Sequence, residues 1–240
     1  MKPLVVASNM FNEIHQLQGD DWLSNWYVNM CNIADMGILI VDTGSTDGTI
    51  EYFKGKQNVT VVVDDIILRE GYGPARNHLR DMSKKHYPDA QWVVYLDGDE
   101  RINPSDYHRF RFMKDYLDDR FDIIAFPRKN MVQKGRLKTK RDIHVNPDYQ
   151  ARMSRLYAPI KYVNRLHESV EGARGIFADI KNPKIEHYHR STNKEKRDYI
   201  GKVCVHLWQK QNEENPGSLP KHHKQHIYEE LLDKEGLVHN

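Results

Sequence analysis

The sequence predicts an open, doubly wound α/β sheet, and three observations point to it. Short apolar runs recur through the first hundred residues without polar alternation, the pattern of strands buried on both faces. Segments of helical period separate those runs, and a β-α-β-α order with such strands makes a parallel sheet covered by helices. Three of the first four runs also end in acids, at the strand ends where open α/β sheets bind ligands.

The elements follow in order. Leu4-Val5-Val6-Ala7 reads as the first strand, ended by the polar Ser8-Asn9. Across 14–33, Leu23, Trp26, Met30 and Ile33 recur at intervals of three and four, a helix period. Gly37-Ile38-Leu39-Ile40-Val41 is the second strand, stopped by the turn-rich Asp42-Thr43-Gly44-Ser45-Thr46-Asp47-Gly48. A short helix over 49–54 and a third strand over 59–63 come next. Gly71 and Gly73 punctuate a loop, and Pro74 sits in the first turn of a helix that runs to about 85. Trp92-Val93-Val94-Tyr95-Leu96 is the fourth strand. Beyond Glu100 the rhythm breaks. A helix opens at Pro104, 121–126 is a strand candidate, and 150–190 reads as short mixed strands. A helix is expected over 193–211, a linker with Asn-Pro-Gly-Ser over 212–219, and a last helix over 220–234.

At 240 residues and 28.3 kDa the chain fits one large domain or one domain with an appendage, with 39% hydrophobic and 29% charged residues and a mean hydropathy of −0.78. No apolar run reaches the length of a membrane span, and Pro3 to Ala7 is too short for a signal-peptide core. Cys31 and Cys204 make neither a disulfide framework nor a zinc site, which suits a reducing compartment; the expectation is a soluble cytoplasmic protein. The net charge of +2 hides two unlike halves: residues 1–127 carry 13 Lys+Arg against 20 Asp+Glu, and residues 128–240 carry 23 against 14.

The acids at the strand ends carry the chemistry. Val41 runs into Asp42, Val63 into Asp64-Asp65, and Leu96 into Asp97-Gly98-Asp99. Asp97 and Asp99 are two apart, so an extended backbone sends both carboxylates to one side, and Gly98 leaves the space between them open. Two such carboxylates suit a hard divalent cation that also takes diphosphate oxygens. A cation there stabilises charge on a departing nucleotide diphosphate. The competing reading is an acidic turn that caps the next helix.

Val41-Asp42-Thr43-Gly44-Ser45-Thr46-Asp47-Gly48-Thr49 resembles the nucleotide-binding signature of family 2 glycosyltransferases with the GT-A fold. Asn12-Glu13, Ala75-Arg76-Asn77 and Asp97-Gly98-Asp99 are similar to that family's motifs in order and spacing, as are His167-Glu168 and His187 to features of its smaller members. The resemblance covers roughly residues 3–200. It implies a nucleotide-sugar half over 1–127, an acceptor-side half over 128–211, and a linker with a C-terminal helix over 212–240. Asn12 belongs to the donor-binding set, with Glu13 and Asp42 on the nucleobase and ribose and Asp47 in the same loop. Asp47 reads equally as a helix cap before Thr49. Arg76 would face the diphosphate, Asp97 would lie near the ribose and metal, and Asp99 would be the principal metal ligand. His187 would complete the coordination of Mn2+, or of Mg2+, with His189 and His167 as substitutes. The tract from Lys221 to His226 reads as a solvated helix face.

Inverting transfer needs a base for the acceptor hydroxyl. Many family members offer a Glu-Asp pair, which this chain lacks, and Glu168 in Leu166-His167-Glu168-Ser169-Val170 is the candidate; an ion-pair partner of a nearby Arg is the other reading of Glu168. The chain also lacks the Gln-x-x-Arg-Trp motif of processive synthases, which implies single transfer. The expected activity is metal-dependent transfer from a UDP-linked or other nucleotide-sugar donor to a glycan or other hydroxyl-bearing acceptor. Two other functions compete. A sugar-phosphate nucleotidyltransferase shares an acidic sheet end, but favours a glycine-rich, basic loop after strand one, where this chain has Ser8-Asn9-Met10-Phe11-Asn12-Glu13. A nucleic-acid surface would use the 128–141 segment, which holds seven basic residues and no acid in fourteen, though no aromatic ring to stack on a base.

Overall fold

The computed structural model describes residues 2–14, 21–131, 148–188 and 194–217. The first half alternates strands and helices: β1 (Leu4–Met10), α1 (Trp22–Ile33), β2 (Gly37–Asp42), α2 (Thr49–Lys54), β3 (Val59–Val63), α3 (Ile66–Glu70), α4 (Tyr72–His86) and β4 (Trp92–Tyr95). The second half holds β5 (Glu100–Ile102), a 3-10 turn at Pro104–Asp106, α5 (Tyr107–Tyr116), β6 (Phe121–Asn130) and β7 (Asp148–Arg155). It continues with β8 (Lys161–Val163), β9 (Ser169–Glu171), β10 (Ile176–Asp179), β11 (Ile185–His187) and α6 (Lys194–Glu214).

The four strands expected from the apolar runs form a parallel block in the order β3-β2-β1-β4. β7 then pairs antiparallel with β4 and with β6, and β10 and β11 both pair parallel with β6. β5 closes the order on β11. β8 and β9 make a separate antiparallel hairpin.

Burial explains why the strands do not alternate. Leu4 and Val6 of β1 face one core with Trp22, Trp26, Met30, Phe53 and Phe110. Val5 and Ala7 face another with Leu79, Tyr95 and Tyr162. Both faces are dry, so both sets must be apolar.

Some boundaries differ from the sequence reading. β1 runs on through Ser8, Asn9 and Met10, because their backbone pairs with Ile40, Val41 and Asp42 of β2 whatever their side chains. The expected 14–33 helix is described over Trp22–Ile33. α3 and β5 were not anticipated: each is short, and each is stabilised by contacts distant in sequence. α6 extends through Glu214 and so takes in the start of the expected linker. The 220–234 helix, His189, the Lys221 to His226 tract and most of the basic 128–141 segment lie outside the described residues. Among the described residues, no helix is long and apolar enough to cross a membrane.

Candidate functional site

The site is built at the C-terminal ends of β1, β2 and β4. Two indoles on α1 hold the Asp97-Gly98-Asp99 turn: Trp22 Nε1 donates to the Gly98 carbonyl at 2.6 Å and Trp26 Nε1 to the Asp97 carbonyl at 3.2 Å. The Asp99 carbonyl accepts from the Tyr188 amide at 2.9 Å, which brings the residue after β11 alongside. The two carboxylates are about a third exposed, at 32% and 30%, so they front an open cleft.

They do not share partners. Asp97 is clasped by two guanidiniums: Arg76 Nη2 lies 2.7 Å from Oδ1, and Arg152 Nη2 lies 2.8 Å from Oδ2. Burial pushes the Asp97 carboxyl up, but Arg152 and then Arg76 outweigh it and hold it below the usual carboxylate range. Asp99 instead faces His187, whose Nε2 lies 3.3 Å from Oδ2. Burial again opposes ionisation there. The charges of His187, Lys196 and Arg128 prevail and hold Asp99 well below its ordinary value. The His187 Nδ1 is 2.7 Å from Asn130 Oδ1; an amide oxygen only accepts, so the Nδ1 proton points to Asn130 and Nε2 is directed at Asp99.

Glu168 stands in the loop of the β8–β9 hairpin, 22% exposed, with Oε1 3.6 Å from Arg76 Nε and 4.0 Å from Arg152 Nη1. Two left-handed residues, Asn164 at φ +72° and His167 at φ +54°, shape that loop. α4 fixes its position. The Tyr72 and Gly73 amides donate to the Arg165 and Asn164 carbonyls, and Asn77 makes a two-point clasp with the Tyr162 backbone at 2.8 and 2.9 Å. Thus within Ala75-Arg76-Asn77 one side chain reaches Asp97 and Glu168 while its neighbour fixes the strand leading to Glu168.

The β1 and β2 loops interlock. Asn12, left-handed at φ +49°, accepts the Thr46 amide at 2.8 Å, and its own amide donates to Ser45 Oγ at 2.7 Å. Asp42 is fully buried and accepts from the Gly44 amide and from both the amide and hydroxyl of Ser45. Burial raises its carboxyl, against those hydrogen bonds. Asp47 accepts from the Thr49 amide and hydroxyl and from the Ile14 amide, tying the start of α2 to the β1 loop. Gly48 there has φ +95°, a value suited to glycine. Glu13 is buried against Gly98: a Cβ on Gly98 would come within 2.5 Å of its carboxylate. Lys196 Nζ from α6 lies 2.6 Å from Glu13 Oε1.

The structure therefore brings Glu13, Arg76, Asp97, Asp99, Glu168 and His187 together, while the Asp42 carboxylate stays within its own turn and the Asp47 carboxylate is taken up by the start of α2 and the β1 loop. His167 is exposed and left-handed. Arg128, at the head of the basic segment, is turned inward: its Nε and Nη2 lie 2.9 and 2.5 Å from Asp148 Oδ2, and its Nη1 lies 3.6 Å from Glu100. Three participants were missed in the sequence: Arg152, Asn130 and Lys196. Arg152 had a signal, a lone cation between apolar neighbours in Ala151-Arg152-Met153. The others had none, since each acts through a partner far along the chain.

The donor set can be tested against a divalent cation. Asp97 has a guanidinium on each oxygen, which leaves Asp99 and His187 as an oxygen and an imidazole nitrogen converging at 3.3 Å, donor types that Mn2+ accepts. Among the described residues no three His, Cys, Asp or Glu side chains gather into a metal-binding group. The pair fits a cation that takes its remaining ligands from phosphate oxygens and water, the common arrangement for nucleotide-bound metals.

No protein-family model matches the chain, and no curated protein matches it by sequence. Solved structures do resemble it. The chain is similar to TarS 1–349 of S. aureus, at 14% identity and a TM-score of 0.52, over 99% of this chain and 72% of that one. It is similar to TarS 1–349 in complex with UDP-GlcNAc at 15% identity and a TM-score of 0.51, over 99% and 73%. It is also similar to mannosyl-3-phosphoglycerate synthase from Rubrobacter xylanophilus, at 11% identity and a TM-score of 0.50, over 94% and 80%. At such identities the likeness is one of fold. The GT-A sheet expected from the sequence is the sheet this chain forms.

Proposed function

We propose that the chain is a glycosyltransferase that moves a sugar from a nucleoside-diphosphate donor to an acceptor hydroxyl with inversion. One observation carries this reading: Asp97, Asp99 and Glu168, from two distant stretches of the chain, converge with Arg76 at the C-terminal ends of a parallel sheet. A fold shared with a protein solved in complex with UDP-GlcNAc makes UDP-sugars the first donors to try.

Each residue has a part in that reaction. Glu168 takes the acceptor proton as the acceptor oxygen attacks the anomeric carbon, and the bond from that carbon to the diphosphate oxygen breaks. Arg76 and Arg152 stay charged beside the leaving group, with Asp97 holding them in register. Asp99 and His187 would hold Mn2+ or Mg2+, which when bound offsets charge on the departing diphosphate. Glu13 faces the nucleoside. Residues 1–127 would then serve the donor, residues 128–211 the acceptor, with 212–240 as an appendage.

The test is a donor screen, with UDP-, GDP- and dTDP-sugars and Mn2+, that reads the released nucleotide. Release of a nucleoside diphosphate supports the reading, and release of pyrophosphate from a nucleoside triphosphate replaces it with nucleotidyl transfer. Glu168→Gln should bind UDP as the parent does while turnover drops by about two to four orders of magnitude; normal turnover removes Glu168 from the base role.

A further inference from the structure

The groups on the nucleoside side and the cation side of the site meet at one residue of the last described helix. Lys196 lies in the first turn of α6, and its ammonium is 2.6 Å from Glu13 Oε1, with both side chains only 6% exposed. Glu13 in turn packs on Gly98, between Asp97 and Asp99, where an added Cβ would lie 2.5 Å from its carboxylate. The ammonium is thus held by Glu13 beside the turn that carries Asp99. In the proposed donor complex the first of these faces the nucleoside and the second the cation. What joins a nucleoside to a metal-bound phosphate is the phosphate attached to the sugar.

One feature points to a ligand at this corner. Glu13 Oε2 is buried and has no hydrogen-bond partner among the described residues, an acceptor that a ligand hydroxyl would satisfy. Close by, Phe11 of the same loop is stacked on Tyr199 of α6, with ring centroids 4.1 Å apart. α6 is docked independently of both contacts. Gln211 Oε1 accepts the Leu166 amide at 2.8 Å, Glu214 pairs with Arg165 at 2.6 Å, and Val203 and Leu207 pack on Leu166.

We propose, resting on the nucleotide-sugar reading above, that Lys196 is a donor-binding residue. Its ammonium takes an oxygen of the phosphate that carries the nucleoside, and this contact makes the site select nucleoside diphosphates over nucleosides. Lys196 is a binding residue in this scheme; bond making and breaking stay with the groups around Glu168 and Asp97.

Titration of the full chain and of Lys196→Met, Lys196→Gln and Lys196→Arg tests it, with UDP and GDP by calorimetry and uridine and guanosine by ligand-observed NMR, all in Mn2+. In Lys196→Met and Lys196→Gln the diphosphate dissociation constant should rise roughly 10- to 100-fold, the scale of a lost hydrogen bond to a charged group, with nucleoside binding unchanged. Lys196→Arg keeps the cation and should stay within about threefold. Equal losses for diphosphate and nucleoside mean that Lys196 only shapes the fold, and overturn the assignment. Tighter diphosphate binding in Lys196→Met means that Lys196 blocks the pocket, and overturns it as well. A parent protein that binds neither diphosphate overturns the nucleotide reading itself, and that result comes from the parent titration alone.

Discussion

Arg152→Met tests whether the buried charge network holds the site together. Arg152 is 4% exposed, and its Nη2 lies 2.8 Å from both Asp97 Oδ2 and Glu100 Oε1. Methionine keeps much of the volume and removes the charge. Asp97 retains Arg76 at 2.7 Å, so its loss is partial. Among the described residues, the fully buried Glu100 then keeps a distant Arg128, at 3.6 Å, and its bond from the Asp97 amide at 3.2 Å. Breaking a buried ion pair from one side costs about 3–5 kcal/mol. With Arg128 still near, the lower end applies, about 3 kcal/mol, or about 6–12 °C in melting temperature for a chain of this length. Urea denaturation of Arg152→Met, Glu100→Gln and the double variant measures the coupling. The double variant should be more stable than the sum of the singles implies by about 1.5 kcal/mol or more, since the neutral amide of Glu100→Gln needs no counter-ion. A cost under about 1 kcal/mol for Arg152→Met, or strict additivity, would refute the reasoning.

Three further outcomes follow from single features. Asp99→Ala should abolish the gain in UDP affinity that Mn2+ confers, so that titrations with Mn2+ and with chelator coincide; a surviving metal effect moves the cation elsewhere. Gly98→Ala presses a Cβ into the Glu13 carboxylate and should cost about 1–3 kcal/mol, with faster amide exchange at the start of α6 as the Lys196 contact loosens. Stability and exchange equal to the parent would show that Glu13 swings clear. Burial pushes the Tyr95 hydroxyl up to about 12, partly opposed by Ser154. A raised folded value gives stability that is complete below pH 10 and is lost as pH rises from 10 through 12, about 2–3 kcal/mol in total. Chemical denaturation across that window should show the decline in the parent and a shallower one in Tyr95→Phe; identical slopes would remove Tyr95 as its source.

Legibility in the sequence tracks how local each cause is. The parallel block β3-β2-β1-β4 was readable because Leu4 to Ala7 and Trp92 to Leu96 must satisfy two dry faces at once, and that constraint leaves unbroken apolar runs. β5 left no such trace. Its three residues are a strand because Ile185–His187 pair with them and because Asn29 clasps the Ile102 backbone at 2.6 and 3.0 Å. The acidic turn was readable as a site, yet its two carboxylates looked equivalent. What separates them is Arg152 against Asp97 and His187 against Asp99, each dozens of positions away. The helix at 193–211 was expected, but nothing in its own residues said that Lys196 would meet Glu13.

That last contact joins positions 183 apart, and α6 is the last element of the described fold to be synthesised. At about 5–20 residues per second, a ribosome needs roughly 9–37 s to travel from residue 13 to residue 196. Through that interval the parallel sheet can already form, while Glu13 lacks the Lys196 ammonium and Leu166 lacks the helix that covers it. The donor contact proposed for Lys196 must wait for nearly the whole described chain. A nascent chain therefore acquires its sheet early and the Glu13–Lys196 corner late, and a product truncated before α6 lacks the corner to which donor binding is assigned above.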